Sequence, residues 1–368
     1  MVQINKTTSQ NSTHTFINEP VLTSIPKKGR HGSDNTTVPE KRNNSFLPNM
    51  PTVRNPRKGS MQFWHRARAK RAYARVRSYI FAHPDPKPLG FAGYKAGMGH
   101  AMVTDNRPNS PTNKQKIAIP FTILECPPLR VASIILYYST PYGLTKIGQI
   151  NAEKMDKDLG RTIILPKKTQ TKTMPTDISE IRLLVHTQPK LAQLKKKPEI
   201  FELAIGGKTI QDKLSAAQQL LGKEISVRDI FTEGNQVDIH AITRGHGIQG
   251  PVKRFGIGLR SHKSEKTKRG PGNVGPWAGN RSWTVSHAGQ DGYHQRFQHN
   301  SLIIQIGDKG SDVTRPGGIP HYGIIKNQYM LVKGSVGGST KRLIRLTPAI
   351  RPHKILPKDA PKIDELVL

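Results

Sequence analysis

Strand-like runs on both sides of a mixed segment predict a mixed, mainly β protein: a barrel or sandwich whose two halves flank an inserted α/β unit. The first observation is the recurrence of short alternating or aliphatic runs, closed by Pro, Asn, Ser and Gly turns. They fall at 90–98, 117–125 and 130–138, and again at 237–243, 301–306, 322–325, 329–334 and 341–346. The second is that residues 151–234 mix strand runs (181–186, 200–205) with helix-start signals. The third is charge: 368 residues carry 58 Lys+Arg against 25 Asp+Glu, a net +33, with only 35% hydrophobic residues. Cores are therefore modest, and the basic stretches cannot order themselves by apolar burial.

In chain order, residues 1–49 are rich in Asn, Thr, Ser and Pro without any period, and predict a disordered extension. The change of character at Met50 reads as the end of an added segment or as a misplaced start codon. A basic arm follows over 50–88, with nine Lys/Arg and no acid up to residue 84. Ser60 as a cap, and Ala67, Ala69, Ala72 and Ala74, predict a helix over 61–80. With no acids at i+4 to relieve repulsion, those cations point to phosphates rather than to a solvated face.

The first part of the β unit is expected over 89–150 and the inserted unit over 151–234. There Thr209 with Asp212 predicts a capping box for a helix whose stripe of Leu214, Ala217 and Leu221 ends at Gly222. Ser226 with Asp229 predicts a second helix, ended by Gly234. Gly206-Gly207-Lys208-Thr209 ends like a phosphate loop, but Glu202 stands where the first glycine is required, so it reads as a turn. The second part of the β unit spans 235–350 and contains a long central loop, 244–300; 351–368 is a tail.

The long loop is the most informative stretch. Between residues 242 and 300 ten Lys/Arg face two acids, Glu265 and Asp291, among eleven glycines and five histidines. Such a segment has no stable shape of its own and is ordered by a polyanion. Gly245-His246-Gly247-Ile248-Gln249-Gly250 fits G-x-G-x-x-G, but residues 251–258 show no helical apolar period, so a tight turn is expected instead of a dinucleotide site. Ser286, His287, Asp291 and His294 lie within nine residues on a glycine-rich loop, where no rigid scaffold assembles a triad. His287, His294 and His299 match no closed metal spacing, and Cys126 is the only cysteine. No catalytic residue, metal or cofactor is expected. No apolar run is long enough to span a bilayer, and the first thirty residues have no apolar core of a signal peptide.

Candidate RNA contacts are Arg57, Lys58, Arg66, Arg68 and Arg71 in the arm, and Arg244, Lys253, Arg254, Lys268, Arg269, Arg281 and Arg296 in the loop. Lys341 and Arg342 add two near the C-terminus, and His294 and Gln295 supply hydrogen bonds. Trp277 and Trp283 serve either as wedges in a small core or as surfaces that stack on a base. The rival reading is an RNA-directed, nucleotide-binding enzyme built on the 245–250 glycines.

Several stretches carry a resemblance: RNPRKGS (54–60), GFAGYKAGM (90–98), RPNSP (107–111), TPYG (140–143), KKKP (195–198), DIFTEGNQVDIHAITRGHGIQGPVKRFG (229–256), GPWAGNRSWTV (275–285), AGQDGYHQR (288–296) and LVKGSVGGSTKRLIRL (331–346). In this order they resemble the family of the third protein of the large ribosomal subunit, in its archaeal type. The resemblance implies a β-barrel with an inserted α/β domain and long extensions that penetrate large-subunit (23S-type) rRNA toward the peptidyl transferase centre. It also implies neighbouring large-subunit proteins as partners, a cytoplasmic particle, and no catalysis by the protein. Lys268, Arg269 and Trp277 match the arm tip near the path of incoming tRNA. PGNVGPW is a shorter, less basic link than the family's, and Ala278 stands where eukaryotic relatives carry histidine.

Overall fold

The computed structural model describes residues 57–61, 63, 65–80, 83–166, 177–263, 266–276, 284–357 and 359–368. The expected extension over 1–49 lies outside them. Among the described residues the strands, in chain order, are β1 (Phe91–Thr104), β2 (Lys116–Glu125), β3 (Leu129–Thr140), β4 (Gly143–Asn151), β5 (Glu180–His186), β6 (Ile200–Ala204), β7 (Glu224–Ile225), β8 (Gln236–Ile242), β9 (Gly245–Gln249), β10 (Gly289–Gly292), β11 (Gln295–Gly307), β12 (Tyr329–Lys333), β13 (Leu343–Pro348) and β14 (Ile363–Val367). Two short α-helices join them, α1 (Ile210–Leu220) and α2 (Pro251–Phe255). The protein is mainly β.

The first sheet runs β13-β8-β11-β12-β2-β1-β14, and β1 also pairs with β13, so its hydrogen bonding returns to the strand where it began. Strand β1 manages this by length: Phe91 to Tyr94 lie against Leu346 to Leu343, while His100 to Val103 lie against β14. Its other edge pairs with β2 from Tyr94 opposite Glu125 to Thr104 opposite Lys116. The β1–β2 turn is built on Asp105, a buried carboxylate that accepts from Arg107 Nη2 at 2.8 Å and Thr112 Oγ1 at 2.7 Å. Glu125, also buried, accepts from the Tyr322 hydroxyl, the Lys326 and Asn327 amides (2.9 and 3.0 Å) and Asn327 Nδ2 (2.7 Å). This fixes the segment before β12 as a loop. The strand expected at 322–325 is consequently absent; Tyr322 turns inward to the carboxylate and only an Ile319–Gly323 bridge forms.

The second sheet has the order β4-β3-β5-β6, with β7 on β3. Residues 131–136 are buried on both faces, as a run apolar but for Ser133 requires, and Ser133 Oγ accepts from Gln149 Nε2 at 3.0 Å. Helix α1 carries the expected capping box, Thr209 with Asp212, and buries Ala216 and Ala217. Here the expected boundaries need correction. Strands β3 and β4 lie before residue 151, yet they pair within the second sheet and not the first. The three residues 126–128 that separate β2 from β3 are enough to switch sheets, and an apolar run does not name its partner strand. The helix expected from Ser226 is one hydrogen-bonded turn: Asp229 caps the Ser226 amide at 2.7 Å, and Phe231 N–H reaches the Val227 carbonyl. The tail of 351–368 also contains a strand, β14. Side chains from both sheets, including Phe91, Phe121, Leu136, Leu183 and Leu203, share one buried cluster.

Candidate nucleic-acid interface

The basic arm is not a helix among its described residues; it is a strap laid over the fold. Ala69 N–H donates to the Tyr293 carbonyl at 2.8 Å, and Arg75 exchanges two hydrogen bonds with the Gln295 side chain. The Tyr73 and Tyr79 hydroxyls donate to the Ile200 and Glu202 carbonyls at 2.8 and 3.0 Å, along edge strand β6. Cations without intervening acids repel one another around a helix, whereas an extended strap spreads them and covers an open sheet edge. Beneath it Arg345, only 3% exposed, donates to the Tyr79 hydroxyl (2.9 Å) and the Glu202 and Ala74 carbonyls (2.6 and 3.4 Å), and packs on the Phe201 ring. The sequence offered no signal for this buried cation beyond its place in a strand.

The root of the long loop has more structure than its composition predicts. Strand β9 pairs antiparallel with β10, Gln249 opposite Gly289 and Gly247 opposite Asp291. After Gly250 comes the five-residue α2, stopped by Gly256 in the left-handed conformation at φ +66°. The expectation of no helix is therefore corrected, but the dinucleotide reading fails for a firmer reason. The glycine stretch is one strand of an antiparallel pair, and α2 ends after a single turn, where a nucleotide fold needs a parallel strand feeding a full helix.

The strap and the loop root meet. Lys58 N–H donates to the Phe255 carbonyl at 2.7 Å, and the guanidiniums of Arg66 and Arg254 lie 4.7 and 5.0 Å from the Phe255 ring centre. Arg254 also donates to the Gln290 and His287 carbonyls at 3.1 and 2.9 Å. Arg68 and Arg342 sit 5.5 and 5.0 Å from the Tyr293 ring, Arg71 sits 5.8 Å from Tyr73, and Arg296 sits 5.0 Å from the exposed Phe63. Phe63, Tyr73, Phe255 and Tyr293 are ring partners of these cations that the sequence reading missed; arginines spaced near aromatics were the available signal. Burial, reinforced by the neighbouring charge of Arg66, pushes the Arg254 and Arg296 guanidiniums below their usual range. The cations are crowded, and at Arg254 the nearby Asp291 offsets part of the repulsion.

The other predicted residues sort plainly. Arg57, Lys58, Arg244, Lys253, Lys268, Arg269 and Lys341 are exposed. Gln295 is exposed but engaged with the strap, and Ser286, 5% exposed, contacts Met61. His294 is 5% exposed, with Nδ1 on the Ala67 carbonyl at 2.9 Å, so it anchors the strap. Trp277, Arg281 and Trp283 lie outside the described residues. Among the described residues no three His, Cys, Asp or Glu side chains group to hold a metal, and no helix is long and apolar enough to cross a membrane.

Carboxylates mark the contrast with the rest of the surface. In the second sheet Arg182 bonds Glu180 and Glu202 (2.7 and 3.2 Å), and in the turns beside it in sequence Lys190 and Arg161 bond Asp158 (2.9 and 3.5 Å) and Lys195 bonds Glu199. Among the described residues none of the predicted contact cations forms an ion pair. Arg66, Arg68, Arg71, Arg254, Arg296 and Arg342 rest on rings instead, and their charge stays available to an external anion.

Known proteins give this arrangement a relative. The family described as "Ribosomal protein L3" matches residues 50–367, beginning where the sequence changes character. Proteins named "Large ribosomal subunit protein uL3" align over most of the chain. That of Methanothrix thermoacetophila is 42% identical over 325 residues, covering 85% of this chain and 97% of the relative. That of Methanococcus aeolicus is 44% identical over 305 residues (80% and 91%), and that of Methanocaldococcus jannaschii 43% over 318 (83% and 94%). The match takes in both sheets, the strap and the long loop together, and the chain belongs to the ribosomal protein L3 family.

Proposed function

We propose that this chain is a structural constituent of the large ribosomal subunit in the cytoplasm, binding large-subunit rRNA and neighbouring large-subunit proteins. The family is a structural one and not a family of enzymes, so no reaction is assigned. The observation that carries the reading is the strap and loop root, where, among the described residues, arginines rest on aromatic rings without an ion pair to a carboxylate. In this reading the self-returning first sheet is a barrel, the second sheet with α1 is its inserted domain, and the loop of 244–300 is an arm in rRNA. Its tip, with Lys268, Arg269, Trp277, Arg281 and Trp283, supports the organisation of the region around the peptidyl transferase centre. Phosphates supply affinity there, and the tryptophans fill a crevice or stack.

Sucrose-gradient fractionation of cell extract tests it. The protein should travel with large subunits at moderate salt and leave them only at high salt, as counterion release demands. Recovery solely from the soluble pool overturns the reading.

A further inference from the structure

Tyr293 is where three distant pieces of chain meet. Its backbone φ of +53° lies in the left-handed region, an outlier for a bulky residue. Its N–H donates to the Arg244 carbonyl at 3.2 Å, and its carbonyl accepts the strap amide of Ala69 at 2.8 Å. Two guanidiniums converge on its ring, Arg68 from the strap and Arg342 from the loop before β13. The residue before Arg342, Lys341, is also left-handed, at φ +67°. That loop is held in place by Lys95, whose Nζ donates to the Val336 and Gly338 carbonyls at 2.6 and 3.3 Å.

The arrangement is strained and incomplete. Arg342 Nη2 donates to Ser339 Oγ at 3.2 Å, but its Nη1 is buried with no acceptor. Among the described residues neither Arg68 nor Arg342 has a carboxylate partner. Like charges gathered on one ring, an unanswered buried donor and two left-handed residues persist only where something rewards them. A backbone phosphodiester does so: its two non-bridging oxygens share one negative charge and accept from both guanidinium forks at once.

We infer that Arg68, Arg342 and Tyr293 form a discrete receptor for one phosphate group of the RNA backbone, and that its occupancy latches the strap to the root of the long loop. This rests on the rRNA-binding reading above. By linkage, whatever neutralises the two arginines must also favour the Ala69–Tyr293 hydrogen bond. The exposed Arg244 and Lys341 stand beside the receptor as supplementary charge.

Hydrogen exchange in the full, RNA-free chain at low ionic strength tests this, with inorganic pyrophosphate as the probe. Exchange across 66–80 should slow by about tenfold when pyrophosphate is ten times its Kd. Arg342→Gln and, separately, Arg68→Gln on the exposed strap should abolish the slowing, while Lys190→Gln, paired to Asp158 in the second sheet, should keep it. Unchanged exchange with pyrophosphate overturns the inference, as does equal protection in both arginine variants. Gradient fractionation of the same proteins separates the two ideas. Wild type in large subunits without latching sinks the receptor alone, whereas wild type absent from large subunits sinks the functional reading.

Discussion

Arg345 shows what one buried charge contributes when its hydrogen bonds go to carbonyls and a hydroxyl. It lies in β13, yet its guanidinium serves the strap (Ala74, Tyr79) and the second sheet (Glu202), so three separate segments share one side chain. Burial pushes it below its usual range, with the Tyr79 hydroxyl opposing. Arg345→Ala removes its hydrogen bonds to Ala74, Tyr79 and Glu202, although the Glu202 carbonyl keeps the Tyr79 hydroxyl as donor; each buried group left unmade costs about 1–3 kcal/mol. Urea melts should show lower stability and earlier exposure of the strap; an unchanged midpoint would refute this role. Nearby His240, 5% exposed, has its imidazole pushed down to about 4, chiefly by burial and then by Arg345. Above its ordinary value of 6.5 the ring is neutral in folded and unfolded chains, and stability is full. As pH falls toward 4 the unfolded chain takes up a proton the folded chain refuses, so stability declines by on the order of 3 kcal/mol through that window. His186, lowered by burial, adds in the same direction. His240→Gln should flatten the decline without removing it, which thermal melts between pH 4 and about 7 would check.

At the scale of elements, the β9–β10 pair is the support from which the long loop leaves. Gly292 closes it at φ +72°, and a Cβ there would overlap the Arg244 carbonyl. Gly292→Ala therefore costs roughly 1–2 kcal/mol for the left-handed backbone alone, and the overlap adds to it. Proteolysis should cut the loop root faster while the urea midpoint of the two sheets barely moves; a common loss of both would mean the loop root is part of the core. Strands β1, β2, β5, β6, β8, β12 and β13 and the capped α1 were legible in the sequence, because alternation, aliphatic runs and a Thr–Asp box are local signals. The strap was not. Its alanines favour a helix, but Tyr73, Tyr79 and Ala69 find partners more than a hundred residues away, and no local propensity reports that. The same limit hid the sheet to which β3 and β4 belong. At the interface, the cations were readable as a class, while the rings beneath them and the anchoring role of His294 required the fold.

Over the whole molecule the net charge of +33 is less informative than its division. Between residues 158 and 202 Arg161, Arg182, Lys190 and Lys195 are answered by Asp158, Glu180, Glu199 and Glu202, whereas several arginines of the strap and loop root rest on rings and carbonyls. Two regimes of RNA binding follow from that division. If the whole surface acted as a diffuse positive field, any neutralised lysine would weaken binding alike. If phosphates sit on the unpaired cations, only those cations release counterions, each lowering the slope of log K against log salt by about 0.7–0.9. Filter binding of the purified chain to large-subunit rRNA, run from low to moderate salt, distinguishes them. The double change Lys268→Gln with Arg269→Gln should reduce the slope by about 1.4–1.8. Lys190→Gln, a charge already satisfied by Asp158, should leave it where it was. Equal slopes for the two variants would mean that the division of charge seen on the fold does not govern how it holds RNA.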